Sequence, residues 1–219
     1  MIFIGANVAV HSGTVSHTGA AGLTLGGGLG RLGRRFGLAC DHAASFDIVT
    51  ADGKFLRAND KENNDLYWGL RGGGGNFGVV TSIECRLHDM DPVILGGGIT
   101  WPLAQARDVL RFYRDRAMGA PEIVNLDPVL YSGPDGPMIE IEACWSGDHA
   151  QGEAWLKKLR AFGQPLHDTI APRPYVVLQS SGDELLASGG YYYLKSGMLT
   201  QLTDDGSDLI IDSFKRMPN

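Results

Sequence analysis

Cysteine is scarce in this chain and widely spaced. The 219 residues include three cysteines, Cys40, Cys85 and Cys144, and none of them belongs to a Cys-x-x-Cys pair. A disulfide framework needs an even set of cysteines and a zinc site needs closely spaced ligands, so the sequence favours neither. Unpaired thiols are typical of a reducing compartment, and we therefore expect a cytoplasmic protein.

Long apolar runs and an excess of positive charge are also missing. No window approaches the roughly 20 apolar residues of a membrane-spanning helix, and the first residues lack the basic start of a signal peptide. The formal net charge of −6 disfavours a nucleic-acid partner. The six histidines are not spaced three or four residues apart and no acidic cluster accompanies them, so we expect no metal site.

Glycine, in contrast, is abundant and concentrated in two segments. The chain has 31 glycines, many of them at 19–30 and 72–78. Because glycine lacks a Cβ, its backbone can adopt positive φ and can approach a ligand closely. Two such segments in one chain predict peptide groups arranged around a large, partly anionic cofactor.

Two nucleotide-binding motifs need to be considered for these glycines. Residues 28–33 match the G-x-G-x-x-G pattern of a Rossmann turn, with Asp52 downstream as a candidate ribose ligand. That motif requires a buried strand before it and a full helix after it, whereas Gly37 ends the short helix predicted at 31–36. A Walker A loop is excluded because neither segment ends in Gly-Lys-Ser or Gly-Lys-Thr.

The hydrophobic pattern predicts an α+β protein. The predicted strands are 8–10, 44–50, 55–58, 79–87, 125–131 and 138–145, and the predicted helices are 31–36, 64–71, 103–118 and 150–162. Asp52-Gly53 is a strong hairpin signal between the second and third strands. Composition changes after Pro92, and the following order of helix, strand, strand, helix indicates helices on one face of an antiparallel sheet.

Two strings carry a resemblance to a known family. Residues 13–28 read Gly-Thr-Val-Ser-His-Thr-Gly-Ala-Ala-Gly-Leu-Thr-Leu-Gly-Gly-Gly, and residues 65–81 read Asp-Leu-Tyr-Trp-Gly-Leu-Arg-Gly-Gly-Gly-Gly-Asn-Phe-Gly-Val-Val-Thr. Both closely resemble the FAD-linked oxidases related to berberine bridge enzyme, flavoproteins of the vanillyl-alcohol-oxidase type. Residues 169–175 and 192–197 also look like segments of that family's substrate domain.

The resemblance implies a fold and a function. Residues 1–90 would be the C-terminal half of a PCMH-type FAD-binding domain, and 91–219 part of an antiparallel-sheet-plus-helices substrate domain. The activity would be FAD-dependent oxidation of a small-molecule alcohol, amine or sugar. The cofactor-binding residues would be Thr14, Val15, Ser16, His17, Thr18, Gly19, Gly22, Leu23, Gly78, Val79 and Val80.

Departures from the family's pattern modify this expectation. The family's FAD domain begins earlier and its substrate domain continues further, so we expect a fragment without the N-terminal and C-terminal parts. The missing parts would carry the flavin-linking histidine and the catalytic base, and neither His11 nor His17 is assigned the linking role. Val15 replaces the cysteine of members with a second covalent link, so no cysteinyl-flavin is expected and FAD would be non-covalent in this fragment. Because the missing parts would leave FAD without contacts on one side, it would be weakly bound or absent. The alternative is a non-catalytic remnant or a partner subunit, its truncated faces covered by a homo-oligomer or a complementing chain.

A few side chains outside the two strings are also candidates. Tyr191, Tyr193 and Lys195 form an aromatic and cationic cluster that would line a substrate pocket, or else a strand with core and surface faces. Asp41-His42 follows a segment that lies near the flavin in the family, although an exposed polar turn is the favoured interpretation. Asp204-Asp205 is interpreted as solvated surface.

Overall fold

The computed structural model describes residues 8–10, 13–184, 186, 189–191, 193 and 195–217. The chain forms two compact units, residues 1–93 with 174–187 and residues 94–173 with 188–219.

The strands are β1 (Val8–Ala9), β2 (Ala43–Val49), β3 (Phe55–Asn59), β4 (Val79–Cys85), β5 (His88–Asp89), β6 (Val93–Pro102), β7 (Val124–Gly133), β8 (Gly136–Trp145), β9 (His167–Asp168) and β10 (Ala171–Pro174). The helices are α1 (Ala20–Leu25), α2 (Gly33–Phe36), α3 (Asn64–Leu70), α4 (Ala106–Ala117), α5 (His149–Arg160), α6 (Tyr175–Gln179) and α7 (Asp204–Lys215), with 3₁₀ turns at Ala39–His42 and Leu103–Gln105.

The first unit is built on a three-stranded antiparallel sheet of order β3-β2-β4. The predicted hairpin joins β2 to β3, and Gly53 takes the positive φ of 78° that its turn requires. Helix α3 packs on one face of the sheet, where Phe46 and Ile48 of β2 and Leu70 of the helix are fully buried. The Tyr67 hydroxyl donates to the Ala43 carbonyl oxygen at 2.7 Å and fixes the helix to the sheet.

The segment between the first glycines and β2 differs from the prediction. Helix α1 was not predicted, and α2 is a single turn from Gly33 rather than two turns from Arg31. Gly37, with φ of 89°, ends α2 as expected. A single turn after a helix is not the strand, turn and long helix of a Rossmann unit, so that interpretation of residues 28–33 is wrong.

The second unit is built on a five-stranded sheet of order β10-β6-β8-β7, with β9 also paired to β6. Strands β7 and β8 form the predicted hairpin, which closes at the Gly133–Gly136 pair. Ile99, Ile141, Val109, Leu156 and Ile211 share one buried cluster, which places α4, α5 and α7 on the same face of this sheet. The antiparallel sheet with helices on one face is the architecture that the sequence predicts.

Strand β6 was not predicted, although it is an inner strand of this sheet. Its residues 96–98 are all glycine, which resembles a loop rather than a strand. Gly97 has φ of 136°, and a Cβ there would lie 2.5 Å from the Thr169 carbonyl oxygen. A Cβ at Gly98 would lie 1.7 Å from a carboxylate oxygen of Glu140. These glycines therefore let neighbouring groups lie across the strand.

Among the described residues, no helix combines the length and the apolar character needed to cross a membrane. Within the same part of the chain, no three His, Cys, Asp or Glu side chains gather in a way that could hold a metal ion.

Candidate functional site

The predicted cofactor loop, residues 13–19, is held by side chains from distant parts of the first unit. The Arg31 guanidinium donates from Nη1 to the Thr14 carbonyl oxygen at 2.9 Å. The Gln179 side-chain amide donates to the Gly13 carbonyl oxygen. Asp183 accepts two hydrogen bonds from Ser16, one from its backbone N–H at 3.0 Å and one from its hydroxyl.

The middle of the loop is a turn that presents His17. The Thr18 N–H donates to the Val15 carbonyl oxygen at 3.3 Å. The His17 ring is 41% exposed, and its Nδ1 lies 3.9 Å from an Asp183 carboxylate oxygen. Hydrogen bonds from the Ser16 hydroxyl and then from its N–H hold the pKa of Asp183 below its usual value, so this carboxylate stays ionised.

Gly19 and Gly22 have open space where a side chain would be. Gly19 has φ of −62° and Gly22 lies within α1. Apart from the chain neighbours and the backbone of α1, a Cβ built on either would have no described atom within 4 Å. A positive φ or close packing within the chain therefore does not account for glycine at these two positions. Both glycines are exposed.

Leu23 has a packing role in this loop. A Cβ on Gly13 would lie 3.1 Å from Leu23 Cδ2, and a Cβ on Gly28 would lie 3.0 Å from Leu23 Cγ. The Leu23 side chain thus fills the space between these two glycines. Any part of Leu23 offered to a cofactor is therefore its backbone.

The structure brings the two glycine-rich segments together. The Gly74 N–H donates to the Leu25 carbonyl oxygen at the end of α1, at 2.8 Å. Gly78 has φ of 142°, and a Cβ there would lie 2.2 Å from the Val49 carbonyl oxygen, so packing against β2 explains this glycine. Val79 opens β4 with 68% of its surface exposed, while Val80 is half-buried against the core of the first unit.

His42 does not lie in an exposed polar turn. It is 1% exposed, and its Nδ1 lies 2.7 Å from Nε2 of His88. Burial and then the neighbouring His88 lower the pKa of His42. The interpretation of Asp41-His42 as an exposed polar turn is therefore wrong for His42. Its contact with His88 joins residues 46 positions apart, which a local pattern does not predict. Asp41 remains partly exposed and forms an ion pair with Arg71 at 3.0 Å.

The candidate pocket residues of the second unit lie in irregular structure. Tyr191 and Tyr193 are both exposed and belong to no strand, so the predicted alternation is wrong for these two residues. Tyr192 lies outside the described residues. The Lys195 ammonium is 5.6 Å from the centroid of the Tyr193 ring, within the range of a cation–π contact. A role of Tyr191, Tyr193 and Lys195 in substrate binding stays a prediction.

Asp204 and Asp205 lie on the surface, as the sequence predicts, and Asp204 also belongs to a charged cluster. It begins α7 and forms ion pairs with Arg111 at 2.7 Å and with Arg114 at 2.8 Å, both from α4. Hydrogen bonds from Arg111 and then Arg114 hold the pKa of Asp204 far below its usual value. The ion pairs connect two helices of the second unit.

Sequence reasoning missed the side chains that hold the cofactor loop, namely Arg31, Gln179 and Asp183. In the sequence, Arg31 belongs to the G-x-G-x-x-G pattern at 28–33 and to the predicted helix at 31–36, and neither predicts its contact with Thr14. Asp183 is 167 residues away from Ser16, and no local pattern predicts a contact over that separation.

Comparison with known proteins shows relatives along nearly the whole chain. No protein-family model matches it. An FAD-linked oxidoreductase of Dictyostelium discoideum is 32% identical over 210 residues, which is 95% of this chain and 46% of the relative. The (R)-6-hydroxynicotine oxidase of Paenarthrobacter nicotinovorans is 30% identical over 217 residues, which is 97% of this chain and 44% of the relative. The chain therefore spans about half the length of the curated relatives it matches.

Solved structures show the same fold. The 6-hydroxy-D-nicotine oxidase of Arthrobacter nicotinovorans matches with a TM-score of 0.75 and 28% identity, over 84% of this chain and 41% of its own. The berberine-bridge-enzyme-like protein 1 of Physcomitrella patens matches with a TM-score of 0.76 over 97% of this chain and 49% of its own, and at 22% identity it supports the fold alone. The predicted fold and the resemblance are confirmed. With its two glycine-rich strings, its two units and these relatives, the chain is a homologue of the FAD-linked oxidoreductases and carries part of the fold of the berberine-bridge-enzyme-like oxidases.

Proposed function

We propose that this chain forms part of an FAD-dependent oxidoreductase that oxidises a small-molecule alcohol, amine or sugar. Two relatives that cover nearly the whole chain are named as an FAD-linked oxidoreductase and an oxidase of 6-hydroxynicotine. The first unit would bind the cofactor, and the second unit would contribute to the substrate site through Tyr191, Tyr193 and Lys195. The alternative, a remnant or partner subunit without turnover, is not favoured by these relatives.

The observation that carries the proposal is the open space at Gly19 and Gly22. These two glycines lie in the loop whose sequence resembles the family's FAD-binding string, and a ligand can approach a glycine backbone closely. Apart from its chain neighbours and the backbone of α1, a Cβ on either residue would meet no described atom within 4 Å, so the chain leaves this surface open to a ligand. FAD carries an anionic pyrophosphate, and peptide N–H groups of a loop are suitable donors to it.

Each part of the site has a proposed task. The backbone of Thr14, Val15, Ser16, His17, Thr18, Gly19, Gly22 and Leu23 would contact FAD from one side, and that of Gly78, Val79 and Val80 from another. FAD held there would supply the redox chemistry, in which the substrate carbon would lose a hydride to the flavin and oxygen would take up the electrons. Because position 15 is valine, we propose that no cysteinyl link to FAD forms there. The cytoplasmic location stays a prediction.

The visible absorbance spectrum of the purified protein tests this proposal. A yellow protein that releases its colour on acid precipitation would support non-covalent FAD. Colour that remains in the pellet would instead show a covalent link outside the residues assigned here. A colourless protein that also fails to take up added FAD would contradict the proposed cofactor site.

Oxygen consumption separates the enzyme from the non-catalytic alternative. We expect the FAD-loaded protein to consume oxygen with at least one member of a panel of alcohols, amines and sugars. The matched control is the same panel with free FAD at equal concentration. The alternative would be favoured if, under anaerobic conditions, dithionite bleaches the flavin absorbance of the FAD-loaded protein and no member of the panel does.

A further inference from the structure

The cofactor loop is fixed by a part of the chain that follows it by about 160 residues. Residues 174–187, which we call the return segment, belong to the first unit, although the residues before them, 94–173, belong to the second unit. Helix α6 lies in the return segment, and the Tyr175 N–H donates to the Pro92 carbonyl oxygen at 2.8 Å. The return segment is therefore attached to the first unit independently of its contacts with the loop.

We propose that Gln179 and Asp183 are positioning residues that set the conformation of the cofactor loop and thereby its affinity for FAD. The proposal rests on the proposed function, since it takes residues 13–19 as part of the FAD site. It assigns the positioning of the cofactor loop to the return segment, which lies outside the two glycine-rich strings. The interacting groups are the Gln179 amide on Gly13 and the Asp183 carboxylate on Ser16.

The orientation of Gln179 is determined by its neighbours. The hydroxyl of the fully buried Tyr175 donates to Gln179 Oε1 at 3.0 Å. With its oxygen used in this way, the amide directs Nε2 to the Gly13 carbonyl oxygen. Gln179 is itself 3% exposed, so leaving either of its polar groups without a partner would be unfavourable. This arrangement fixes the start of the loop.

Asp183 fixes the middle of the loop by holding one residue at two points. One carboxylate oxygen accepts the Ser16 backbone N–H and the other accepts the Ser16 hydroxyl. Two bonds to a single residue restrict both its backbone and its side-chain rotamer. The lowered pKa of Asp183 agrees with a carboxylate that is ionised and hydrogen-bonded in the folded protein. The Nδ1 of His17, the next residue, lies 3.9 Å from the same carboxylate.

Three variants of the purified protein test the role of Asp183. Asp183→Ala removes both bonds, and we expect its dissociation constant for FAD to rise about tenfold. Asp183→Asn can accept from the Ser16 N–H and donate to the Ser16 hydroxyl oxygen, so it removes the charge but keeps the position. We expect it to bind FAD within about threefold of the unchanged protein. The matched control is Glu184→Ala, which removes an exposed carboxylate next in sequence and should leave the affinity unchanged.

Hydrogen exchange measured by mass spectrometry gives a readout that does not depend on FAD. Without FAD, Asp183→Ala should speed exchange of the amides at 13–19 and leave those of β2 and β3 unchanged. If the unchanged protein binds no FAD, the proposed function fails, and this exchange result still decides whether Asp183 orders the loop. Unaltered exchange in Asp183→Ala would overturn the inference, and so would an Asp183→Asn variant that binds FAD as weakly as Asp183→Ala.

Discussion

Replacing Gly22 by alanine should change the stability of the protein and its affinity for FAD in opposite directions. Gly22 lies within α1 and does not have a positive φ, so alanine is compatible with its conformation. Apart from its chain neighbours and the backbone of α1, the added methyl group would meet no described atom within 4 Å. It would, however, occupy the space in which we propose that FAD lies.

Both magnitudes follow from this geometry. Alanine is favoured over glycine inside a helix by about 0.5–1 kcal/mol, because glycine loses more backbone entropy on folding. For a chain of this size that corresponds to a rise of about 1–4 °C in the melting temperature. Forcing a methyl group into an occupied space typically costs about 1–3 kcal/mol, which would weaken FAD binding by a factor of about 5 to 100.

The assay combines thermal unfolding of the FAD-free protein, followed by circular dichroism, with titration of FAD followed by flavin fluorescence. Gly119→Ala is the matched control. Gly119 follows α4 in the second unit, and a Cβ there also meets no atom within 4 Å. We expect the control to leave FAD affinity unchanged.

Two results would refute the reasoning. If Gly22→Ala binds FAD as tightly as the unchanged protein, the space beside α1 is not part of the cofactor site. If Gly22→Ala instead lowers the melting temperature, some contact of Gly22 is essential to the fold, and weaker FAD binding would no longer indicate direct displacement.

Three further predictions concern stability. Gly78→Ala places a Cβ 2.2 Å from a carbonyl oxygen at positive φ, so it should lower the free energy of unfolding in urea by about 2–4 kcal/mol. Asp204 has a lowered pKa, so its ion pairs stabilise the protein above about pH 4 and are lost as the pH falls further. Asp204→Asn should therefore lower the urea midpoint more at pH 7 than at pH 2, with Asp205→Asn as the control. His42 also has a lowered pKa, so stability should fall as the pH drops below about 6.5, and His42→Asn should reduce the difference between the urea midpoints at pH 7.5 and pH 5.5.

Much of the fold follows from local sequence patterns. The hairpin of β2 and β3 depends on alternation and an Asp-Gly turn, and α4 and α5 depend on helical spacing of apolar residues. Helix α7 was missed, although it had a local signal. The Thr203 hydroxyl accepts from the Gly206 N–H at 3.0 Å, and Ser207 and Ile211 repeat at helical spacing on its buried side.

Strand β6 was missed for a different reason. Its three glycines have no side chains, so they cannot show the alternation of a strand. Glycine is needed at 97 and 98 because the Thr169 backbone and the Glu140 side chain lie close to these residues. A single sequence does not show that these residues come close together in the folded chain. The same limit applies to the pair of His42 and His88, whose contact depends on how β5 is placed beside the 3₁₀ turn.

The candidate site shows what the sequence can and cannot distinguish. From sequence alone, the glycines at 19, 22 and 78 support the same inference, a backbone close to a ligand. In the structure, Gly78 is required by its φ and by the neighbouring strand, whereas Gly19 and Gly22 are required by neither. Of these three glycines, only Gly19 and Gly22 therefore leave their surroundings open to a ligand. The residues that shape their loop, Gln179 and Asp183, lie 166 and 167 positions after the residues that they contact, Gly13 and Ser16. A sequence motif can thus locate the backbone that would face the cofactor, while the side chains that hold this backbone in place become visible only after the chain has folded.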